Sequence, residues 1–297
     1  MPVISTYVFL DLETTGLPVE EHNKTKITEI SMVAVKREHV LDTRPGASPR
    51  VQNKVTLCLN PGRFIHPDCT KVTGLCNDLL EHESQFDLKV FHIINNFLDI
   101  LQKPVCLIAQ NGTCFDFPIV KRQLEKLGAN FSDDLMCADC YHAFYDILEF
   151  RKKSMRSYEL IREPTVTTTI SETDNSTVIP DNDNLLKQEN TLNMKTVNET
   201  TPKRSVNSYK FVHKNVCKAK RRFPWSGEKP KESYKLANIY ERVMNRPALE
   251  AHRAENDCIL ALECAVALGK DFVDWVDNNH YLFTDVKPMT IGVRLGS

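Results

Sequence analysis

Neither sign of charge prevails in this chain of 297 residues: 38 Lys and Arg stand against 39 Asp and Glu, a formal net charge of −1. No global basic field draws the chain to polyanions, so any such attraction must come from local distribution. Long apolar runs are missing too. Nothing after Leu268 approaches the roughly 20 apolar residues that span a bilayer, and no membrane anchor is expected. No secretory signal is legible, which removes the oxidising context in which ten cysteines would form a disulfide scaffold. Most of them fall in hydrophobic or strand-like stretches and read as reduced core residues of an intracellular protein. Cys137-Ala138-Asp139-Cys140 with His142 has zinc-like spacing, but no second pair completes it. Asn175-Ser176-Thr177 and Asn198-Glu199-Thr200 match glycosylation acceptors, which an intracellular chain does not present to the transferase.

What is present is a hydrophobic content of 41%, ample for a packed core, and an N-terminal run that carries chemistry. In Tyr7-Val8-Phe9-Leu10-Asp11-Leu12-Glu13-Thr14-Thr15-Gly16, alternation along a strand puts Asp11 and Glu13 on one face. Two acids that close repel one another and resist desolvation, and a divalent cation between them is the natural compensation. A solvated edge strand bearing acids would look the same.

Two later segments add to the pair. Val105 to Gly112 reads as a buried strand running into a turn, and Asp116 opens an apolar-periodic helix, where an acid commonly serves as cap or dipole partner. His252 and Asp257 flank the start of a strong helix, 254–268, closed by Gly269. Five positions amount to about 140° around a helix, so the two can act together only if His252 lies on the preceding loop and Asp257 in the first turn.

In order, Asp11, Glu13, Asp116, His252 and Asp257 reproduce the pattern of the DEDDh 3′→5′ exonucleases. Further segments resemble the three-prime repair exonuclease family within that superfamily: Phe9 to Pro18, Asn53 to Cys58, Val72-Thr73-Gly74-Leu75, Asn111-Gly112 with Phe115 to Pro118, Ser233 to Tyr240, Ala254-Glu255-Asn256-Asp257, Trp275-Val276-Asp277 and Val286 to Met289. The likeness covers about residues 7–150 and 225–290. The chain departs from the family at Gln110, where histidine is usual, and at Phe115, where tyrosine is usual.

The resemblance implies an α/β fold of the ribonuclease H-like exonuclease type, a central mixed sheet flanked by helices. It implies a metal-dependent 3′→5′ DNA exonuclease, a hydrolase of DNA repair, that releases mononucleotides by two-metal phosphodiester hydrolysis. Asp11, Glu13 and Asp257 are expected to ligate one ion on the side of the attacking water, with Asp11 bridging to a second on the side of the leaving oxygen and Asp116 supporting that second ion. Oxygen ligands select two Mg2+, with Mn2+ able to substitute, about 4 Å apart. His252 is the expected general base, histidine being the side chain that changes charge near neutrality. Glu13, Thr14, Leu17, Pro18, Val72, Phe115 and Asp257 are expected to hold the terminal nucleotide of single-stranded DNA or a frayed 3′ end. The family's dimer joins edge strands, and Val55 to Leu59 is the matching strand, so a homodimer is expected, in cytoplasm or nucleus and not on a membrane. The same five residues also suit an exoribonuclease, and a non-catalytic nucleic-acid-binding scaffold would have no reason to keep four mutually repelling carboxylates.

Strands are expected at 6–13, 27–36, 54–60 and 105–110, and helices near 86–102, 117–128, 138–150, 233–244 and 254–268. Motifs that must converge lie on both sides of a middle segment, so residues 1–150 and 223–297 form one exonuclease domain and 151–222 an insertion. Thr165 to Thr201, dense in Thr, Asn, Ser and Asp, is expected to be disordered. The basic residues that follow, among them Lys218, Lys220, Arg221 and Arg222, suit a solvated linker, an import signal or a grip on the DNA backbone.

Overall fold

The computed structural model describes residues 3–162, 223–225, 228–248, 252–293 and 295. The chain divides into Met1–Tyr158 with Val216–Ser297, and Glu159–Asn215. The Thr165–Thr201 stretch, both glycosylation sequons and the basic residues up to Arg222 lie outside the described residues.

Six strands form one sheet: β1 (Thr6–Thr14), β2 (Ile27–Lys36), β3 (Asn53–Cys58), β4 (Val105–Ala109), β5 (Met136–Asp139) and β6 (Tyr281–Leu282). Their order is β3-β2-β1-β4-β5-β6. β1 pairs antiparallel with β2 and β2 with β3, whereas β1, β4 and β5 run parallel and β6 closes antiparallel on β5. The helices are α1 (Arg37–Asp42), α2 (Pro67–Thr73), α3 (Asn77–Leu80), α4 (Leu88–Asp99), α5 (Asp116–Leu127), α6 (Cys140–Arg162), α7 (Leu236–Met244), α8 (Ala254–Leu268) and α9 (Lys270–Asn279). This mixed sheet with helices on both faces is the ribonuclease H-like exonuclease fold.

Alternation along β1 assigns the faces. Tyr7 and Phe9 join Val33, Val35, Cys106 and Ile108 in a core shared with α6, α8 and α9. Val8, Leu10 and Leu12 point the other way, into a core with Ile30, Met32, Leu107, α4 and α5. Continuing the odd register places Asp11 and Glu13 on the α8 face, and across the ladder Asp11 faces Ser31 while Glu13 faces Glu29. The register shifts between Glu13 and Thr14, an irregularity of the ladder just past its second acid.

The four expected strands are all present, and α8 spans the residues its periodicity predicts. The helix expected at 138–150 begins instead at Cys140 and runs to Arg162. Residues 138 and 139 belong to β5, whose four residues are all buried between β4 and β6. None of the nine cysteines among the described residues is in a disulfide; five are buried and four half-buried.

Candidate metal centre and active site

Asp11, Glu13 and Asp257 each offer a carboxylate oxygen within 4.8 Å of the others. Among the described residues they are the group of His, Cys, Asp and Glu side chains that converges in this way, and Cys137, Cys140 and His142 do not join into a second one. The trio joins the end of β1 to the first turn of α8. Burial, reinforced by the charges of Asp116, Asp257 and Glu13, pushes Asp11 well above the usual carboxylate range. Burial, then Asp257 and Glu29, push Glu13 up to about 8. Asp257 is raised by burial as well, against the opposing pull of the His252 main-chain N–H. Carboxyls this close hold protons unless positive charge is brought among them.

Asp116 is 2% exposed on the first turn of α5. Burial pushes its carboxyl well above the usual range, with the main-chain N–H groups of Asp116 itself and of Leu12 pulling the other way, and Oδ1 is buried with no hydrogen-bond partner. A carboxyl stranded in this manner is costly to ionise, and a cation facing it would remove the cost. The donor set is all carboxylate oxygen, which suits a hard divalent ion such as Mg2+ or Mn2+ and not a thiolate-seeking one. The residues present therefore fit such ions.

The approach of Asp116 is set by the turn before it. Asn111 adopts a left-handed conformation at φ 60°, and the 3-10 turn Gly112–Cys114 follows. Asp139, fully buried at the end of β5, accepts the N–H groups of Asn111 at 2.9 Å, Thr113 at 3.1 Å and Tyr141 at 3.0 Å. Burial lifts Asp139 to about 6 in spite of those three bonds. Gly112 leaves no room for a side chain, since a Cβ there would lie 2.6 Å from the Ala109 Cβ and 2.8 Å from the Phe117 ring.

His252 sits on the loop before α8 at φ 74°, exposed, and its N–H donates to Asp257 Oδ2 at 3.0 Å. That is the loop and first-turn placement their spacing requires. Of the expected nucleotide-holding residues, Leu17 and Val72 expose half or more of their surface, Phe115 is half-buried, and Thr14 and Pro18 are buried. His66, the N-cap of α2, donates its N–H to Thr15 O at 2.7 Å and so ties the loop after β1 to the helix that carries Val72. Gln110 takes a structural part: its Nε2 donates to Tyr234 O at 3.1 Å and its Oε1 accepts from Cys140 Sγ at 3.3 Å. Lys218, Lys220, Arg221 and Arg222 lie outside the described residues.

The RNase_T family, described as Exonuclease, matches residues 8–167, more than half of the chain. This chain belongs to the RNase_T exonuclease family. Three-prime repair exonuclease 1 of Bos taurus is 26% identical over 299 residues, spanning 97% of this chain and 71% of that protein. Three prime repair exonuclease 2 of Mus musculus is 37% identical over 145 residues, 46% of this chain and 60% of its own length. With these relatives the chain stands in the three-prime repair branch of the DEDDh exonucleases, and it is a 3′→5′ exonuclease, a hydrolase.

Two carboxylates were missed in the sequence. Asp139 was read only as part of a zinc-like spacing, and Glu29 was read only as part of a strand. Arg253 lies 224 positions beyond Glu29, and the groups that bind Asp139 are main-chain N–H groups, so no local pattern announces either acid.

Proposed function

We propose that this exonuclease removes mononucleotides from the 3′ ends of DNA by metal-dependent phosphodiester hydrolysis. The observation that carries this reading is the convergence of Asp11, Glu13 and Asp257 within 4.8 Å beside the stranded Oδ1 of Asp116. These four would hold divalent cations, Mg2+ in the cell. Bound there, a pair of such ions supplies charge to the attacking and leaving oxygens of an in-line displacement.

The protein's own residues do the rest. His252, on an exposed loop whose geometry is tied to Asp257, takes the proton of the attacking water and hands it to solvent. Leu17, Val72 and Phe115 offer apolar surface on which a terminal base and sugar stack, which tolerates any base, while Thr14 and Pro18 shape the loop beneath. Residues 151–222 are an insertion into one exonuclease domain, and its basic end, Lys218 to Arg222, grips the phosphate backbone. Two copies pair through β3, the sheet edge that contains Val55, since strand addition satisfies its open backbone groups.

No helix among the described residues is long and apolar enough to cross a membrane. The deciding experiment uses 5′-labelled single-stranded DNA, nicked duplex and RNA of equal length, each with magnesium and with chelator. Stepwise shortening of DNA that needs magnesium and a free 3′ end is expected. Cleavage that persists in chelator, or internal nicking, overturns the reading, and RNA shortened as fast as DNA moves the substrate to RNA.

A further inference from the structure

Glu29 has no part in the chemistry above, yet it is 1% exposed and faces Glu13 across the β1–β2 ladder. Its charge adds to the repulsion that raises Asp11, Glu13 and Asp257. A fully buried acid beside this half-buried trio needs a reason.

Its two oxygens are fully used. Oε1 accepts Arg253 Nη2 at 2.6 Å and the Cys58 thiol at 3.7 Å, while Oε2 accepts Arg253 Nε at 3.2 Å and the Ala254 main-chain N–H at 2.9 Å. Burial alone would raise Glu29, but the Arg253 and Ala254 bonds outweigh it and hold it below its ordinary value. Glu29 is therefore ionised and spoken for, and it is not a further cation ligand.

Those bonds fall on one spot, the start of α8. Arg253 is the N-cap residue, extended at φ −127°, and its side chain does not cap its own helix. The first helical N–H, that of Ala254, is satisfied by Glu29 from the sheet instead. One residue before the cap is His252, and one turn after it is Asp257. Arg253 also draws Glu13 downward, against its repulsive neighbours.

We infer that Glu29 and Arg253 are a positioning pair for the reaction. The pair docks the N-terminus of α8 onto β2 by a bidentate fork, and so fixes His252 and Asp257 against Asp11 and Glu13. This rests on the proposed function for its catalytic consequence, though the docking itself does not. A bidentate guanidinium–carboxylate contact sets orientation as well as distance, and Lys cannot reproduce it.

The test uses the full chain as E29Q, R253Q, R253K and the E29Q/R253Q double variant. Amide hydrogen exchange of the metal-free proteins is read peptide by peptide, and kcat and KM are measured on single-stranded DNA at saturating magnesium. Exchange of peptides covering residues 252–258 is expected to quicken about tenfold or more in E29Q and R253Q, with β1 peptides unchanged. In the same variants kcat is expected to fall by about tenfold to a hundredfold with KM within about threefold, R253K to recover only part of the loss, and the double variant to be no worse than the worse single. Should buried E29Q fail to fold, half-exposed Arg253 still decides through R253Q and R253K. Wild-type kcat in R253Q, full recovery in R253K, or a kcat loss with wild-type exchange at 252–258 overturns the inference. If the wild-type protein leaves DNA intact, the proposed function fails, while the exchange data still judge the docking.

Discussion

The His252 main-chain N–H donates to Asp257 Oδ2 at 3.0 Å, so the proposed general base and the proposed cation ligand share one hydrogen bond across the start of α8. The bond runs from the backbone of His252 and not from its ring. Replacing the imidazole leaves Asp257 held, and replacing Asp257 frees the histidine loop.

Two substitutions separate the roles on this basis. Asp257→Asn is expected to weaken manganese binding and to lower turnover by orders of magnitude. His252→Ala is expected to keep manganese binding and lose turnover by roughly 10²–10⁴-fold, as general-base removal does. Isothermal titration with manganese beside single-turnover kinetics tells them apart, and loss of binding in His252→Ala would reverse the assignment.

Acidity of the site predicts how stability follows pH. Glu13 is raised from 4.5 to about 8 when no cation is bound. A carboxyl raised on folding contributes stability below its unfolded value and loses it as pH climbs through the folded one. Asp139, raised to about 6, acts in the same direction at lower pH. Chelated protein is expected to melt at progressively lower temperature from about pH 5 to 9, and manganese to raise the melting temperature most at the alkaline end. A flat profile in chelator would contradict the crowding of these acids.

Gly112→Ala tests the turn that delivers Asp116. The Ala109 Cβ and the Phe117 ring lie within 3 Å of the new methyl group, so a loss of about 1–3 kcal/mol is expected from denaturant unfolding. Turnover should fall with it, because the turn cannot move without carrying Asp116, the first residue of α5, along with it.

Neutralising Lys218, Lys220, Arg221 and Arg222 together is expected to weaken DNA binding at low salt and flatten the dependence of log K on log salt, since each phosphate contact releases counterions. Turnover at saturating DNA should hold. Deleting Thr165 to Thr201 should leave folding and chemistry nearly intact, because long surface loops add little closure entropy. An unchanged salt slope assigns the cluster to a linker or an import signal.

The legible part of this protein was whatever a few neighbouring residues decide. Period-two alternation gave the face shared by Asp11 and Glu13, and the Ala254–Leu268 helix showed its limits through an apolar run ended by Gly269. Glu29 was not legible, because in Ile27-Thr28-Glu29-Ile30-Ser31 an acid reads as the outward residue of a half-buried strand. Arg253 and the Ala254 N–H, 224 and 225 positions later, make its burial tolerable. Asp139 was obscured by its cysteine neighbours, whose spacing suggested a metal. Its real partners are main-chain N–H groups, which carry no side-chain signature. The start of the helix after it is hidden for a related reason, as β5 is defined by the strands on either side and not by its own four residues.

The ion pair of Glu29 with Arg253 also has a meaning in time. Asp11 and Glu13 are synthesised some 240 residues before Arg253 and Asp257. Until α8 is made and docks, the early strands carry bare acids with no counterpart for Glu29 and no third ligand to complete a cation site. On the proposed assignment, a growing chain thus has no complete cation site until α8 has been made and has docked on β2.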